Sequence, residues 1–393
     1  MVARSVYAFN WYNVGAVLPL IGTSLGIGTA RLGIVLGAFL VGAGVFQLPA
    51  GIAALRWGNR RVCLVALAVM GAFALASAFS PNWMVLAGLR FGAGAGAAFF
   101  FAPALGLVAS YYPAGARGPV IGLYNAGFAA GAGIGVIAGA FVGAAFGWPW
   151  ALAVGGAGLL VAAAGAAAFL PAVPPPSPAP STRAALRLAW PALRSRALWA
   201  LGLGLTGAWA ASYILAQYTV EYASVAHPAW SLPLAATLPT LFVLVEIPGA
   251  PVGGWLGERV RSRVGFLAIV SFASAAVIFL VPFLDFPGLV AVFTVFGVGS
   301  SVAFAVLYLL PSYLPGMAPE SLSFALALIN GIQILLGSGL AIGFGFVAEA
   351  FGYTAAWYYA GALAVATLAV LVVLRPTDFI GEGRAAAGAS RPE

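Results

Sequence analysis

Residues 51–61 read GIAALRWGNRR and residues 254–263 read GWLGERVRSR. Each is a short run of glycine and arginine, and each interrupts sequence that is otherwise almost wholly apolar. The chain around them has 393 residues, 63% of them hydrophobic and 7% charged, with 52 glycines, 26 prolines and a mean hydropathy of +1.05. Soluble domains carry about 25% charged residues. So little polar surface cannot cover a soluble core, which excludes a soluble enzyme or nucleic-acid-binding module and makes the chain an integral membrane protein.

Working outward from the two loops, apolar stretches of about 20 residues, the length of one helical crossing, recur along the chain. Twelve are expected, at 5–27, 32–55, 62–80, 83–112, 118–146, 148–170, 197–222, 230–256, 264–284, 287–314, 320–349 and 353–374. They are twice as long as barrel strands and do not alternate, so the fold class is all-α. The first stretch carries Asn10, Trp11 and Asn13 rather than a short apolar core with a cleavage site, so no cleavable signal is expected there.

Every basic residue is Arg, and the net charge is +8. All arginines except Arg31 and Arg90 fall at Arg4 or in alternate connections, and the positive-inside rule then puts both termini in the cytoplasm of a cell membrane. The basic balance is read as loops facing an anionic leaflet, with the lipid bilayer rather than nucleic acid as the partner. One cysteine, Cys63, excludes an intrachain disulfide and a cysteine-based metal cluster, and no cofactor or metal is expected.

Residues 171–196, PAVPPPSPAPSTRAALRLAWPALRSR, form a Pro-rich and basic spacer. The expected organisation is a six-helix bundle over 1–170, a cytoplasmic linker over 171–195, a second six-helix bundle over 196–375 and a disordered cytoplasmic tail over 376–393. Each half has its arginine-rich loop after its second span, the mark of an internal repeat.

The two loops resemble the signature of the major facilitator superfamily, Gly-x-Leu-Ala-Asp-Arg-x-Gly-Arg-Arg/Lys, and RFGAGAG (90–96) resembles its Arg-x-x-x-Gly-x-Gly pattern. Leu55 stands in place of the usual Asp in the first loop, and Asn59 in place of an Arg often found there; Glu258, followed by Arg259, supplies the acid in the second. The resemblance implies a major facilitator fold, two pseudo-symmetric bundles that rock about a central site. It also implies a cytoplasmic gate, for which Glu258, Arg259 and Arg117 are the candidates; two solvated loop charges are the alternative. GAGIGVIAGA (131–140) resembles the antiporter-associated signature of the fifth span, with Val136 replacing its Pro and Ala140 its last Gly.

Gly127, Gly131, Gly135, Gly139, Gly143 and Gly147 recur every four residues and so line one helix face, a groove for close approach by a neighbouring helix. Trp148, Trp150, Trp230, Tyr353 and Trp357 fall near span ends and read as headgroup anchors. Asp285 and Glu349 fall at outer ends and read as solvated.

A charge at mid-membrane costs on the order of 2.5–3.5 kcal/mol, so such residues usually face the bundle interior and serve a function. Arg90, deep in the fourth span, is a candidate anion ligand. Glu246, in LVEIPGAP (244–251), is the candidate proton carrier; a structural ion pair is the alternative for both. By analogy with the family, whose spans 1, 4, 7 and 10 line the cavity, the substrate-binding set would add Asn10, Asn13, Gln47, Tyr124, Asn125, Tyr213, Gln217, Ser300, Asn330 and Gln333. For each amide taken singly, a bond to a neighbouring helix is the rival reading.

The expectation is a monomeric secondary active transporter, not an enzyme, that moves a small solute by alternating access. Proton-coupled symport of a small organic or inorganic anion is the first reading. A proton-driven exporter of drugs or metabolites is the second, and a non-transporting receptor or scaffold the third.

Overall fold

The computed structural model describes residues 1–112, 114–171, 190–315, 319–374 and 378–379. Most of the linker, with Arg183 and Arg187, and nearly all of the tail, with Arg384 and Arg391, lie outside the described residues, as do Arg375 and the side chain of Arg117.

Every regular element among the described residues is helical. In chain order these are α1 (Val2–Tyr12), α2 (Leu18–Leu25), α3 (Thr29–Val45), α4 (Gln47–Trp57), α5 (Asn59–Ser77), α6 (Trp83–Tyr111), α7 (Ala114–Phe146) and α8 (Trp148–Phe169). Then follow α9 (Arg196–Gly204), α10 (Thr206–Ala226), α11 (Leu232–Arg259), α12 (Arg263–Ala276), α13 (Phe286–Leu309) and α14 (Pro319–Leu368). Among the described residues nine helices are long and apolar enough to cross a membrane, or ten if α3 and the first part of α4, bent by 41°, are taken as one. The protein is therefore a multi-pass integral membrane protein.

Several expected spans are bent or interrupted helices. The first is α1 and α2 joined by a 3-10 turn at Gly15–Val17. A break frees backbone carbonyls that need donors, and the Gln217 side-chain amide donates to the Trp11 carbonyl at 2.7 Å. A Cβ on Gly15 would meet the Gln217 backbone at 2.7 Å, so glycine permits this approach. The last two spans are the arms of α14, which breaks at Gly352, where φ is 84°. The Tyr359 hydroxyl donates to the Leu340 carbonyl at 3.3 Å, so the second arm lies back against the first.

The glycine face of α7 receives α1. A Cβ on Gly131 would collide with the Ser5 carbonyl and one on Gly135 would meet the Phe9 carbonyl at 2.6 Å, while the Ser5 hydroxyl donates to the Gly127 carbonyl at 2.8 Å. Helices α1 to α8 pack mainly on one another, as do α9 to α14. The two groups meet through α3 against α14, α7 against α11, and α10 against α2 and the turn before it. The contact between α3 and α14 runs from Thr29 beside Gly345 to Gly44 beside Leu335. Beyond the 41° bend, α4 packs little against α14, so the groups are closed at the end far from the N-terminus and part toward the end that carries the arginine loops.

The two outer acids are exposed, as expected, and each also caps a helix. The first turn of α3 begins at Gly28, which has no side chain to cap the unsatisfied N–H groups. Glu349 supplies the acceptor from the other group: its Oε2 accepts from the Ala30 N–H at 2.8 Å. Asp285 caps its own helix, accepting from the Gly288 N–H at 3.4 Å. Trp357, in contrast, is no headgroup anchor; it is fully buried against Phe344 and Tyr222.

Candidate functional site

Arg90 sits where α1, α3 and α6 meet. It is 1% exposed, its guanidinium lies 4.5 Å from the centre of the Phe39 ring, and Nη2 donates to the Asn10 carbonyl at 3.3 Å. No described carboxylate pairs with it, and its Nε has no acceptor. An arginine stays charged even when buried, so an unpaired guanidinium here is suited to hold an anion. The residue across the group boundary within its electrostatic reach is Tyr213, a buried side chain of α10 stacked on Trp209, with an unpartnered hydroxyl.

Glu246 stands on the other side of that boundary. It is half-buried on α11, and the Ser300 hydroxyl of α13 lies 3.5 Å from its Oε1. Arg90 and Glu246 do not form an ion pair. Two tyrosines connect them electrostatically instead: Tyr213 is within reach of Arg90, and Tyr12 of α1 is within reach of both Tyr213 and Glu246.

The other expected site residues divide by what they touch. Asn10 Nδ2 donates to the Val6 and Gly155 carbonyls and Asn13 Nδ2 to the Ala151 carbonyl, so both amino groups tie α1 to α8. Their oxygens, both buried, have no partner. Gln217 is committed to the Trp11 carbonyl, its oxygen unpartnered. Gln333 is fully buried on α14 with neither amide atom bonded, and Gln47 is buried at the start of α4. Asn330 accepts from the Tyr308 hydroxyl at 3.4 Å. Asn125 is exposed on α7, as are Glu258 and Arg259 at the end of α11, where the Arg259 guanidinium folds over Trp255 at 4.2 Å.

Two buried charges escape the sequence reading. Glu221, near the far end of α10, is 9% exposed and its Oε2 has no partner, which makes it more deeply buried than the half-buried Glu246. Arg4, read as a topology charge, is 4% exposed. Its guanidinium carbon lies 4.4 Å from the ring centre of Phe128, 4.7 Å from Tyr124, 5.0 Å from Tyr7 and 5.1 Å from Phe101. Its Nε and Nη1 find no acceptor, and neither does the Tyr124 hydroxyl. The available signal was Tyr7 three residues on, which shares its helix face.

The sequence profile of the Major Facilitator Superfamily matches residues 1–332. The chain is 33% identical over 147 residues to the 4-hydroxybenzoate transporter PcaK of Pseudomonas aeruginosa, a match covering 36% of this chain and 32% of that one. It is 30% identical over 154 residues to a gallate transporter of Pseudomonas putida, covering 38% of this chain and 34% of the relative. The match thus spans about a third of the length of each relative. In fold, the chain is similar to the crystal structure of a bacterial homologue of the human lysosomal transporter Spinster, in an inward-facing and unoccupied conformation. The TM-score is 0.75 at 17% identity, covering 100% of this chain and 98% of that one.

Proposed function

The chain belongs to the Major Facilitator Superfamily, whose members matched here are transporters and not enzymes, and from that premise we propose that it carries a small organic anion across the cell membrane by proton-coupled symport. The observation that carries the reading is Arg90, a buried guanidinium with no described carboxylate partner, within electrostatic reach of Tyr213 in the other helix group. The substrate class is an aromatic carboxylate. The names of the two relatives support it, and so do the rings near Arg90: Phe39 beneath the guanidinium, and Tyr213, stacked on Trp209, within its electrostatic reach.

The bundles are 1–170 and 196–375, with twelve crossings once α1 with α2, α3 with α4, α9 with α10, and each arm of α14 are taken as spans. Both termini lie in the cytoplasm, as the arginine distribution supports. The closed end then faces outward and the parted end inward, and the site is exposed to either side in turn as the bundles rock. Glu246 is the proton carrier: an anion seated at Arg90 and a proton on Glu246 cross together, with Tyr12 and Tyr213 connecting them electrostatically. Glu258, Arg259 and Arg117 form the cytoplasmic gate that holds the opposite state.

The coupling is tested in proteoliposomes loaded with and exposed to 4-hydroxybenzoate. Glu246→Gln is expected to exchange labelled for unlabelled substrate at a rate near that of the wild type while losing accumulation driven by a proton gradient. Unchanged accumulation overturns the proton role, and substrate-driven proton flux opposite to the substrate overturns symport in favour of export.

Closure at the outer end yields a second prediction. Removing a helix cap costs about 0.5–2 kcal/mol, and Glu349 caps α3 from the opposite group. Glu349→Ala should therefore shift the protein toward the outward-open state by about twofold to thirtyfold. Spin labels at Ser24 and Phe351, both exposed at that end, are expected to show a larger long-distance fraction by pulsed electron resonance.

A further inference from the structure

Arg4 lies in the first turn of α1, six residues before Asn10, whose carbonyl holds Arg90. At 1.5 Å per residue that places the backbones of Arg4 and Asn10 about 9 Å apart along the axis of α1. The two arginines are unequal in setting. Arg90 is central, whereas Arg4 stands nearer the parted end.

Four rings enclose Arg4, from α1, α6 and α7. Each cation–π contact contributes about 0.5–2 kcal/mol, which makes the buried charge tolerable. It does not satisfy the N–H donors, since a ring face has no lone pair to accept them. No described carboxylate pairs with Arg4. The neighbourhood adds to the positive potential, because the free N–H groups and positive dipole end of α1 lie beside it. The unpartnered Tyr124 hydroxyl is a third donor in the same box. Across the group boundary, Tyr308 of α13 is within electrostatic reach of Arg4, and it already donates to Asn330. Buried donors without acceptors call for a missing partner, and three donor atoms around a permanent positive charge define an anion with at least two acceptor oxygens.

We propose that Arg4 and Tyr124, walled by Tyr7, Phe101 and Phe128, form a second binding seat for the aromatic carboxylate, on the route between the parted end and Arg90. The carboxylate accepts from the guanidinium and from the Tyr124 hydroxyl, and the surrounding rings pack against its aromatic body. The seat rests on the reading of the substrate class given above. It assigns to Arg4 and Tyr124 a role in capture and release, distinct from that of Arg90 in the central site.

The test is calorimetric titration of the purified full-length protein with 4-hydroxybenzoate, and with 4-hydroxybenzyl alcohol as the uncharged control. The Arg90→Gln variant isolates the seat and is expected to keep one weaker binding event that the alcohol does not give. In that background Tyr124→Phe, which removes one oxygen and keeps the ring, should weaken the residual binding about fivefold to tenfold. Adding Arg4→Gln instead should weaken it more than tenfold, with only partial recovery in Arg4→Lys, because an ammonium cannot reproduce the planar fork. Thermal unfolding checks that each variant is folded. Binding to the wild type that vanishes entirely in Arg90→Gln overturns the second seat and leaves the proposed function standing. Residual binding indifferent to both Tyr124→Phe and Arg4→Lys also overturns it. No binding of the carboxylate to the wild type overturns the substrate class, and the seat with it.

Discussion

Arg90→Gln is expected to abolish substrate accumulation while leaving the folded protein about as stable as the wild type. The two halves of that result have one cause. Where a buried arginine is paired with a carboxylate, removing it strands the opposite charge and destabilises the fold by about 3–5 kcal/mol. Arg90 has no such partner; its losses on substitution are one bond to the Asn10 carbonyl at 3.3 Å and the contact with Phe39. The cost of burying an uncompensated charge disappears with it, so the net change in stability should lie within about 1 kcal/mol. Substrate binding has no such compensation. A carboxylate seated on a desolvated guanidinium loses on the order of 2–5 kcal/mol when that partner is truncated, a weakening of at least about thirtyfold. Arg90→Lys should recover a part of this, since charge is kept and the planar two-point geometry is not. Uptake at subsaturating substrate, set beside the melting temperature of the same preparation, separates this outcome from misfolding. A variant that melts far below the wild type would instead mark Arg90 as a structural member of the α1, α3 and α6 junction.

How much of this was legible in the sequence depends on whether one helix or two were needed to read it. The depth of Arg90 follows from counting residues into its own apolar stretch. The glycine face of α7 follows from spacing alone, although its occupant, α1, does not. Asn10 and Asn13 share a face by their i, i+3 spacing, but the rotation of α1 that turns their amino groups onto Gly155 and Ala151 is set by how deeply α1 sinks into the glycine groove of α7. Such a rotation is a property of three helices and leaves no local trace. Arg4 is the sharpest case. An arginine at the start of an apolar stretch is what a topology charge looks like, and the rings that enclose it come from positions 7, 101, 124 and 128. Glu349 was illegible for the same reason, since the helix it caps lies in the other half of the chain. The break at Gly15–Val17 was hidden for another reason: apolar sequence continues through it, and hydropathy registers composition rather than backbone geometry, whereas the break at Gly352 falls at the boundary between the spans expected at 320–349 and 353–374.

The glycine groove yields a large expected effect on stability, because there the obstacle is backbone. Three substitutions to alanine form a graded series. Gly88 of α6 has nothing within 4 Å of an added Cβ, and Gly88→Ala should be neutral or slightly stabilising, as alanine is the better helix former. At Gly139 the Cβ would meet the Asn13 carbonyl at 3.1 Å, a distance that a shift of a few tenths of an ångström relieves, so Gly139→Ala should cost little. At Gly131 the added carbon would overlap the main-chain carbonyl of Ser5, which no change of rotamer can move aside. The helices must separate, and overpacking of this kind costs about 1–3 kcal/mol or more. The separation would not stay local. Helix α1 also carries the Asn10 carbonyl that holds Arg90, the Tyr12 within electrostatic reach of Glu246 and the Arg4 enclosed partly by α7. Gly131→Ala should therefore lower both the melting temperature and transport, whereas Gly139→Ala should leave transport near the wild-type level. Equal melting temperatures for the Gly131 and Gly88 variants would show that α1 does not lie in the groove of α7 as closely as its carbonyls require.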